Sequence, residues 1–279
     1  MSQPTPDDIQ RFKDEVWAYH EGNRRDLPWR RTHDPYPILV SEIMLQQTQV
    51  PRVVPKYAAF LECFPTVAAL AQAPAADVLT VWQGLGYNRR ALALQRAAGM
   101  IQAEHAGVIP RSLEELRRLP GIGPATAAAL CVYAYGVALP FIETNVRAAF
   151  IHFFFQECPR VSDADLLPLV ELALDRDKPR EWYYALMDYG TWIKKTHRNP
   201  GRKSSHHTLQ TPFAGSRREV RAAALRALLA AGPAGLALDA LRRADPVIAA
   251  RDPSELGDIL AGLTAEGFLS GDGERYRVR

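Results

Sequence analysis

Apolar residues along the first 195 positions recur at helical spacing, in Ala- and Leu-rich windows broken by Pro and Gly. They almost never alternate with the two-residue period of a half-buried strand. The pattern predicts an all-α core with helices near 7–21, 37–48, 51–63, 65–73, 75–83, 89–105, 112–118, 124–135, 144–156, 163–175 and 178–195. In "SLEEL", Ser112 and Glu115 stand at capping-box spacing, which gives the helix near 112–118 a defined start. The periodicity lapses in "THRNPGRKSSHHTLQTPFAGS", Thr196 to Ser216, which has the composition of a linker or exposed loop. Beyond it the pattern predicts three helices and a hairpin turning at Gly271-Asp272-Gly273, an order compatible with a small winged helix. The expected organisation is a helical core over 1–195, a basic linker over 196–215 and a winged-helix-like module over 216–279.

One stretch departs from the amphipathic pattern. "LPGIGPATAAALCVYAYGVALPFIETNVRAA" runs 24 residues from Leu119 to Ile142 without a charge and then delivers Glu143, Asn145 and Arg147. A run of about 18 apolar residues can cross a bilayer. Pro120, Gly121, Gly123 and Pro124 at one end, with Gly136 and Pro140 at the other, divide this one into a turn, one helix of roughly three turns and a second turn. No membrane association is expected. The polar, acidic "MSQPTPDD" has neither the positive charge nor the apolar stretch of a signal peptide, and a cytoplasmic, monomeric protein is expected.

Composition adds two points. Cys63, Cys131 and Cys158 are far apart without C-x-x-C spacing, so three reduced core thiols are expected rather than disulfides or a thiolate metal site. The net charge of +3 is small, but from Tyr189 to Arg218 there is no Asp or Glu, while Lys194, Lys195, Arg198, Arg202, Lys203, Arg217 and Arg218 are all basic.

In "LPGIG", two glycines flank one apolar residue between two predicted helices. Such a turn can bring its N–H groups and the following helix N-terminus against an anion, so that Gly121, Ile122 and Gly123 would hold a DNA phosphate without reading sequence. Taken alone the motif is equally a plain helix–helix turn. Glu143, 20 residues past Gly123, adds a carboxylate where a substrate held by the hairpin could meet it. "LPGIGPATA" followed by "FIETNVR" resembles the helix-hairpin-helix and acidic residue of the endonuclease III superfamily of base-excision DNA glycosylases. "RDLPWRRTHDPYPILVSEIMLQQTQV" and "FPTVAALAQAPAADVLTVWQGLGYNRRALAL" resemble the MutY-type adenine-DNA glycosylases within it.

The resemblance implies a two-part helical core with double-stranded DNA in the cleft between the parts, and a target base flipped out of the duplex into a pocket. It gives Gln47 and Tyr87 the role of filling the gap left in the DNA. Removing a purine requires a proton on the leaving base and negative charge beside the sugar cation. Glu42, in the apolar frame "ILVSEIML", is expected to be neutral and to act as general acid; Glu143 is expected to be ionised and to stabilise the cation, with Asn145 orienting the site. By the same resemblance Arg25, Trp29, Tyr184 and Asp188 approach the base. Tyr183, by contrast, reads as core packing. Glu143 could also simply cap the helix that follows it.

Five departures qualify the analogy. The family's usual acid at position 143 is Asp. Tyr184 stands where a hydrogen-bonding Glu or Gln is usual. Bifunctional relatives carry a lysine where this chain has Ala125, so base release without strand cleavage is expected. No cysteine lies beyond Cys158, so no iron–sulfur cluster or other cofactor is expected, and Lys194, Lys195, Arg198, Arg202 and Lys203 are expected to neutralise phosphates instead. The C-terminal residues do not look like the β-rich domain that recognises 8-oxoguanine in relatives. The expected activity is removal of adenine opposite guanine or 8-oxoguanine, with a thymine or uracil mismatch glycosylase, or a catalytically silent DNA-structure-binding protein, as alternatives.

Overall fold

The computed structural model describes residues 4–206 and 211–279. Its helices are α1 Pro6–Asn23, α2 Pro35–Leu45, α3 Val50–Cys63, α4 Val67–Gln72, α5 Ala75–Trp82, α6 Arg89–Glu104, α7 Leu113–Arg118, α8 Pro124–Tyr135, α9 Thr144–Phe154, α10 Asp163–Ala173, α11 Pro179–Thr196, α12 Arg217–Ala231, α13 Leu238–Ala244, α14 Pro246–Ala249 and α15 Pro253–Ala265. Each of the eleven periodic segments of the first 195 residues is thus a helix, with boundaries shifted by a few residues. Local chemistry explains where several begin. Thr5 and Ser162 make reciprocal capping boxes with Asp8 and Asp165 at the starts of α1 and α10, and Ser112 accepts from the Glu115 N–H at the start of α7.

Residues 4–43 and 109–206 pack as one compact unit. Its core is aromatic: Phe12 of α1 lies 4.6 Å, ring centre to ring centre, from Phe150 of α9 and meets Trp182 of α11 edge-on. Tyr183 is fully buried, stacks on Phe141 at 4.0 Å, and its hydroxyl accepts from the Phe141 N–H, as its reading as a core residue requires. The uncharged run resolves into a turn, α8, buried from Ala127 to Tyr133, and a loop, and no helix among the described residues is long and apolar enough to cross a membrane.

The expected linker begins as structure within this unit. Asn199 caps a short 3-10 turn at Pro200–Lys203, the Lys203 ammonium donates to the carbonyls of Phe155 and Gln156, and Ser204 bridges to Val161. Residues 207–210, including His207, lie outside the described residues.

Residues 44–108 and 211–279 make the second unit. In its C-terminal part, β1 (Leu236–Ala237), β2 (Leu269–Gly271) and β3 (Arg275–Val278) form an antiparallel sheet of order β1-β3-β2, with the hairpin turn where the sequence predicts it. The order helix, strand, helices, strand, strand is that of a winged helix. Two features were not legible in the pattern: α14 and the two-residue β1, which pairs Leu236 with Tyr276. The module is tied to the 44–108 segment by Glu266, which accepts from Arg89 of α6 at 2.6 Å and from Arg221 of α12 at 2.6 Å, and by the Ala76 N–H, which donates to the Arg279 carbonyl. One expectation fails: Cys63 is exposed at the end of α3 rather than in the core, because the apolar face of that helix is carried by Val53, Tyr57 and Phe60. Cys131 is buried and Cys158 partly so.

Candidate active site

The hairpin is built by α7, the turn 119–123 and α8. Gly121 has φ +81, which explains its glycine, and Ile122 is buried as the turn's anchor. Gly123 is different: its backbone is extended, so its conformation does not require glycine, and a Cβ there would meet nothing within 4 Å. Its side-chain-free N–H at the start of the twelve-residue α8 leaves open the close approach of an external group.

Glu143 is the N-cap of α9. Its Oε1 accepts from the backbone N–H groups of Asn145 at 2.5 Å and Val146 at 2.9 Å, and its Oε2 from the Asn145 side-chain amide at 3.2 Å. The capping role weighed from sequence is therefore real, and it orients the carboxylate. Helix α11 lies backbone-close to this helix start: a Cβ on Gly190 would sit 2.2 Å from the Asn145 carbonyl oxygen, so only glycine fits. On the same face, Met187 Sδ lies 3.5 Å from Asn145 Nδ2 and Thr191 Oγ1 3.3 Å from Asn145 Oδ1, which fixes the amide that holds Glu143.

Glu42 of α2 and Glu143 are electrostatically coupled. Burial, and after it the Glu143 charge, push the Glu42 carboxyl up to about 8. Burial also raises Glu143, but the hydrogen bonds from Val146 and Asn145 and the positive charge of Lys194 work against it. Both carboxyls are raised, but only Glu143 has hydrogen-bond donors and a cation working to keep its anion.

Tyr133 of α8 and Tyr184 of α11 line the same locality. Their rings stack at 4.8 Å and 8°, and burial followed by the Glu42 charge raises the Tyr133 hydroxyl well above its usual range. Burial pushes Tyr184 up to about 12, with the Glu42 charge contributing. The Arg30 guanidinium lies 4.5 Å over the Tyr184 ring. Trp29 is buried in a 3-10 turn at Pro28–Arg30.

Arg25 and Asp188 are brought together, but with each other. Asp188 is 2% exposed. Its carboxylate receives Arg25 Nε at 2.5 Å and both terminal nitrogens of Arg30 at 2.8 and 2.9 Å, with His20 Nδ1 at 3.3 Å. Burial would raise this acid; the adjacent His20, the Arg30 hydrogen bonds and charge and the Arg25 bond outweigh it and hold it well below the usual carboxylate range. Its lone pairs are committed to holding the N-terminal segment on α11, an architectural task in place of the base contact expected of it.

In the second unit, Gln47 (φ +55) and Tyr87 (φ +49) both hold left-handed backbone. Such strain persists only where the surroundings impose it. Arg90 of α6 is the common support: it donates to the Met44 carbonyl at 2.8 Å, to Thr48 Oγ1 at 2.9 Å and to the Gly86 carbonyl at 3.0 Å, and its guanidinium lies 5.4 Å from the Tyr87 ring centre. One partly buried cation therefore holds both loops.

The basic stretch splits by placement. Lys195, Arg198 and Arg202 are exposed. Lys203 is taken up by the carbonyls of Phe155 and Gln156, and Lys194 is half-buried beside Glu143, so neither has the free, exposed ammonium expected for phosphate contacts. Sequence reasoning missed Tyr133, Arg30, His20, Arg90 and Gly190; although Tyr133, Arg30 and Arg90 lie inside the quoted stretches, their roles come from partners distant in the chain.

Residues 40–176 match the family described as HhH-GPD superfamily base excision DNA repair protein. The chain is 47% identical over 134 residues to the adenine DNA glycosylase of Mycolicibacterium smegmatis, covering 48% of this chain and 46% of that protein. It is 38% identical over 180 residues to the adenine DNA glycosylase of Mycobacterium tuberculosis, covering 63% and 59%. The matched region thus spans about half the length of these curated relatives. The fold is similar to that of a thermostable thymine-DNA glycosylase, with a TM-score of 0.61 over 70% of this chain and 91% of the other, at 24% identity.

Proposed function

We propose, from the match of residues 40–176 to the HhH-GPD superfamily of base excision DNA repair proteins, that this protein is a DNA N-glycosylase that removes a mispaired adenine from duplex DNA. The observation that carries the reading is the Glu42–Glu143 pair, in which burial and the Glu143 charge favour the protonated form of Glu42, while the hydrogen bonds from Val146 and Asn145 and the Lys194 charge favour the anion of Glu143. A binding protein that only contacts phosphates gains nothing from two half-buried acids acting on one another. Adenine as the base rests on the adenine DNA glycosylases to which the chain is similar.

In this reading the open backbone at Gly123 takes a phosphate, and Gln47 and Tyr87 fill the stack vacated by the flipped nucleotide. Glu42 protonates the departing purine, so that electrons of the N-glycosidic bond leave with a neutral base. Glu143, clamped by Asn145 and Val146, faces the positive charge that develops on the sugar and orients the water that adds to it. The Tyr133–Tyr184 stack supplies an aromatic wall to the pocket. Ala125 brings no amine to the hairpin, which supports base release without strand cleavage.

The donor set does not fit an iron–sulfur cluster. Cys63, Cys131 and Cys158 lie in or after three different helices, and the segment after α11 is closed instead by Asn199, Lys203 and the Val161–Ser204 bridge. We read the protein as cluster-free, with Lys195, Arg198 and Arg202 as its phosphate contacts there.

A single-turnover base-release assay on duplexes carrying A, T or U opposite G or 8-oxoguanine tests the reading. Release of adenine with the phosphate backbone left intact is the expected result. Release of only T or U overturns the substrate, and no release from any duplex overturns the enzyme.

A further inference from the structure

Lys194 was expected to sit with the solvent-facing basic residues, and it does not. On α11, Met187, Gly190, Thr191 and Lys194 stand at i, i+3, i+4 and i+7 and share one helix face. The first three of them meet Asn145, the residue that clamps Glu143. Lys194 continues that stripe by one turn, half-buried, while its neighbour Lys195 is exposed.

We infer that Lys194 is a positioning residue for base release, a counter-charge built into the face of α11 that holds Glu143 as the anion while Glu42 keeps the proton. The inference rests on the glycosylase reading above. The charged and titratable groups around Glu143 are few. Its charge acts on Glu42 of α2 and Tyr133 of α8, the Lys194 charge of α11 acts on it, and Asn145 and Val146 of α9 supply neutral donors. Lys194 in turn faces Glu143 and Arg25. With Glu42 neutral, Glu143 and Lys194 balance to zero net charge, the arrangement of least cost for groups out of water. Without Lys194, Glu143 loses the cation that counters its charge, and it must take up a proton at a higher pH. Burial lowers the Lys194 ammonium and the Glu143 charge opposes that, so each partner favours the charged form of the other.

The test uses the full chain with Lys194→Met and Lys194→Arg. Three quantities are measured for each: single-turnover base release between pH 5 and 9, DNA affinity as a function of salt, and the titration of the Glu143 carboxyl carbon by NMR. Lys194→Met is expected to slow release at pH 7 by roughly tenfold. It should also raise the pH of the acidic limb and of the Glu143 titration together and leave the salt slope unchanged, and Lys194→Arg should restore most of the rate. An unmoved acidic limb and carboxyl titration in Lys194→Met overturns the inference. So does a weakened affinity with a flatter salt slope at an unchanged rate, which would make Lys194 a phosphate contact. If the wild type releases no base from any duplex, the glycosylase reading fails, and the carboxyl titration alone still decides whether the two charges are paired.

Discussion

Glu143 and Glu42 stand in a donor-rich and a donor-poor setting respectively: Glu143 is gripped by two backbone N–H groups and the Asn145 amide, while burial and the Glu143 charge act on Glu42 in the same direction. That difference, more than the presence of two acids, assigns the proton.

The acid limb and the basic limb of activity follow. Base release should rise as Glu143 loses its proton and fall as the pH passes about 8, where Glu42 ionises. Glu42→Gln should bind DNA and lose most of the activity. It should also stabilise the fold. The unfolded chain ionises this group near its ordinary 4.5 and the folded chain near 8, so its stability contribution is full below 4.5 and is lost as pH climbs toward 8. Discounting for partial exposure, the variant should gain on the order of 2 kcal/mol at pH 7, read from denaturant melts. Wild-type activity in Glu42→Gln would end the general-acid assignment.

Replacements at Glu143 separate charge from reach. Glu143→Gln keeps a cap but removes the charge, and should cost on the order of 10²-fold in single-turnover rate. Glu143→Asp keeps the charge but withdraws it by about 1 Å from the Asn145 clamp, and should fall between the two. Equal rates for Gln and Glu in a folded protein would reduce Glu143 to a helix cap.

Asp188→Asn should act on stability first. It leaves Arg30, 5% exposed at its side chain, without its carboxylate, a loss of about 3 kcal/mol or more for a broken buried pair. A melt unchanged from wild type, with lost activity, would mean that Asp188 touches substrate after all.

Gln47→Gly should leave the fold as stable or raise its stability by about 0.5–1 kcal/mol, because glycine accepts the positive φ without strain. Base release from duplex DNA should nonetheless fall sharply, with release from an already unpaired target less affected. Equal losses on both substrates would remove the gap-filling role.

Replacing Lys195, Arg198 and Arg202 together with Ala should weaken binding to all duplexes alike and flatten the salt dependence by roughly 1 for each phosphate-neutralising cation removed. Lys203→Ala should instead lower thermal stability, since that ammonium holds Phe155 and Gln156. An unchanged salt slope in the triple variant would make the exposed cations bystanders.

The helices of the first 195 residues, the hairpin turn at Gly121 and the β-turn near Gly271 are written in local features: periodicity, caps, and glycines at positive φ, each decided within a few residues along the chain. So are Glu42 and Glu143 as candidates, since an acid in an apolar helix and an acid at a helix start are visible in short windows. What those acids do to each other was not, because Glu42 and Glu143 meet only when α2 and the start of α9 are folded together. The same holds for Asp188, whose carboxylate is claimed by Arg25 and Arg30 from 163 and 158 residues away. It holds again for Lys194, whose place in a basic run suggested solvent but whose helical phase, set by the backbone contact of Gly190 with Asn145, turns it toward Glu143. Spacing along the chain determines which residue types an element carries and which face each occupies. Which charges end up within reach of one another is settled by how those faces pack, and in a low-dielectric interior that reach determines protonation, and with it the chemistry.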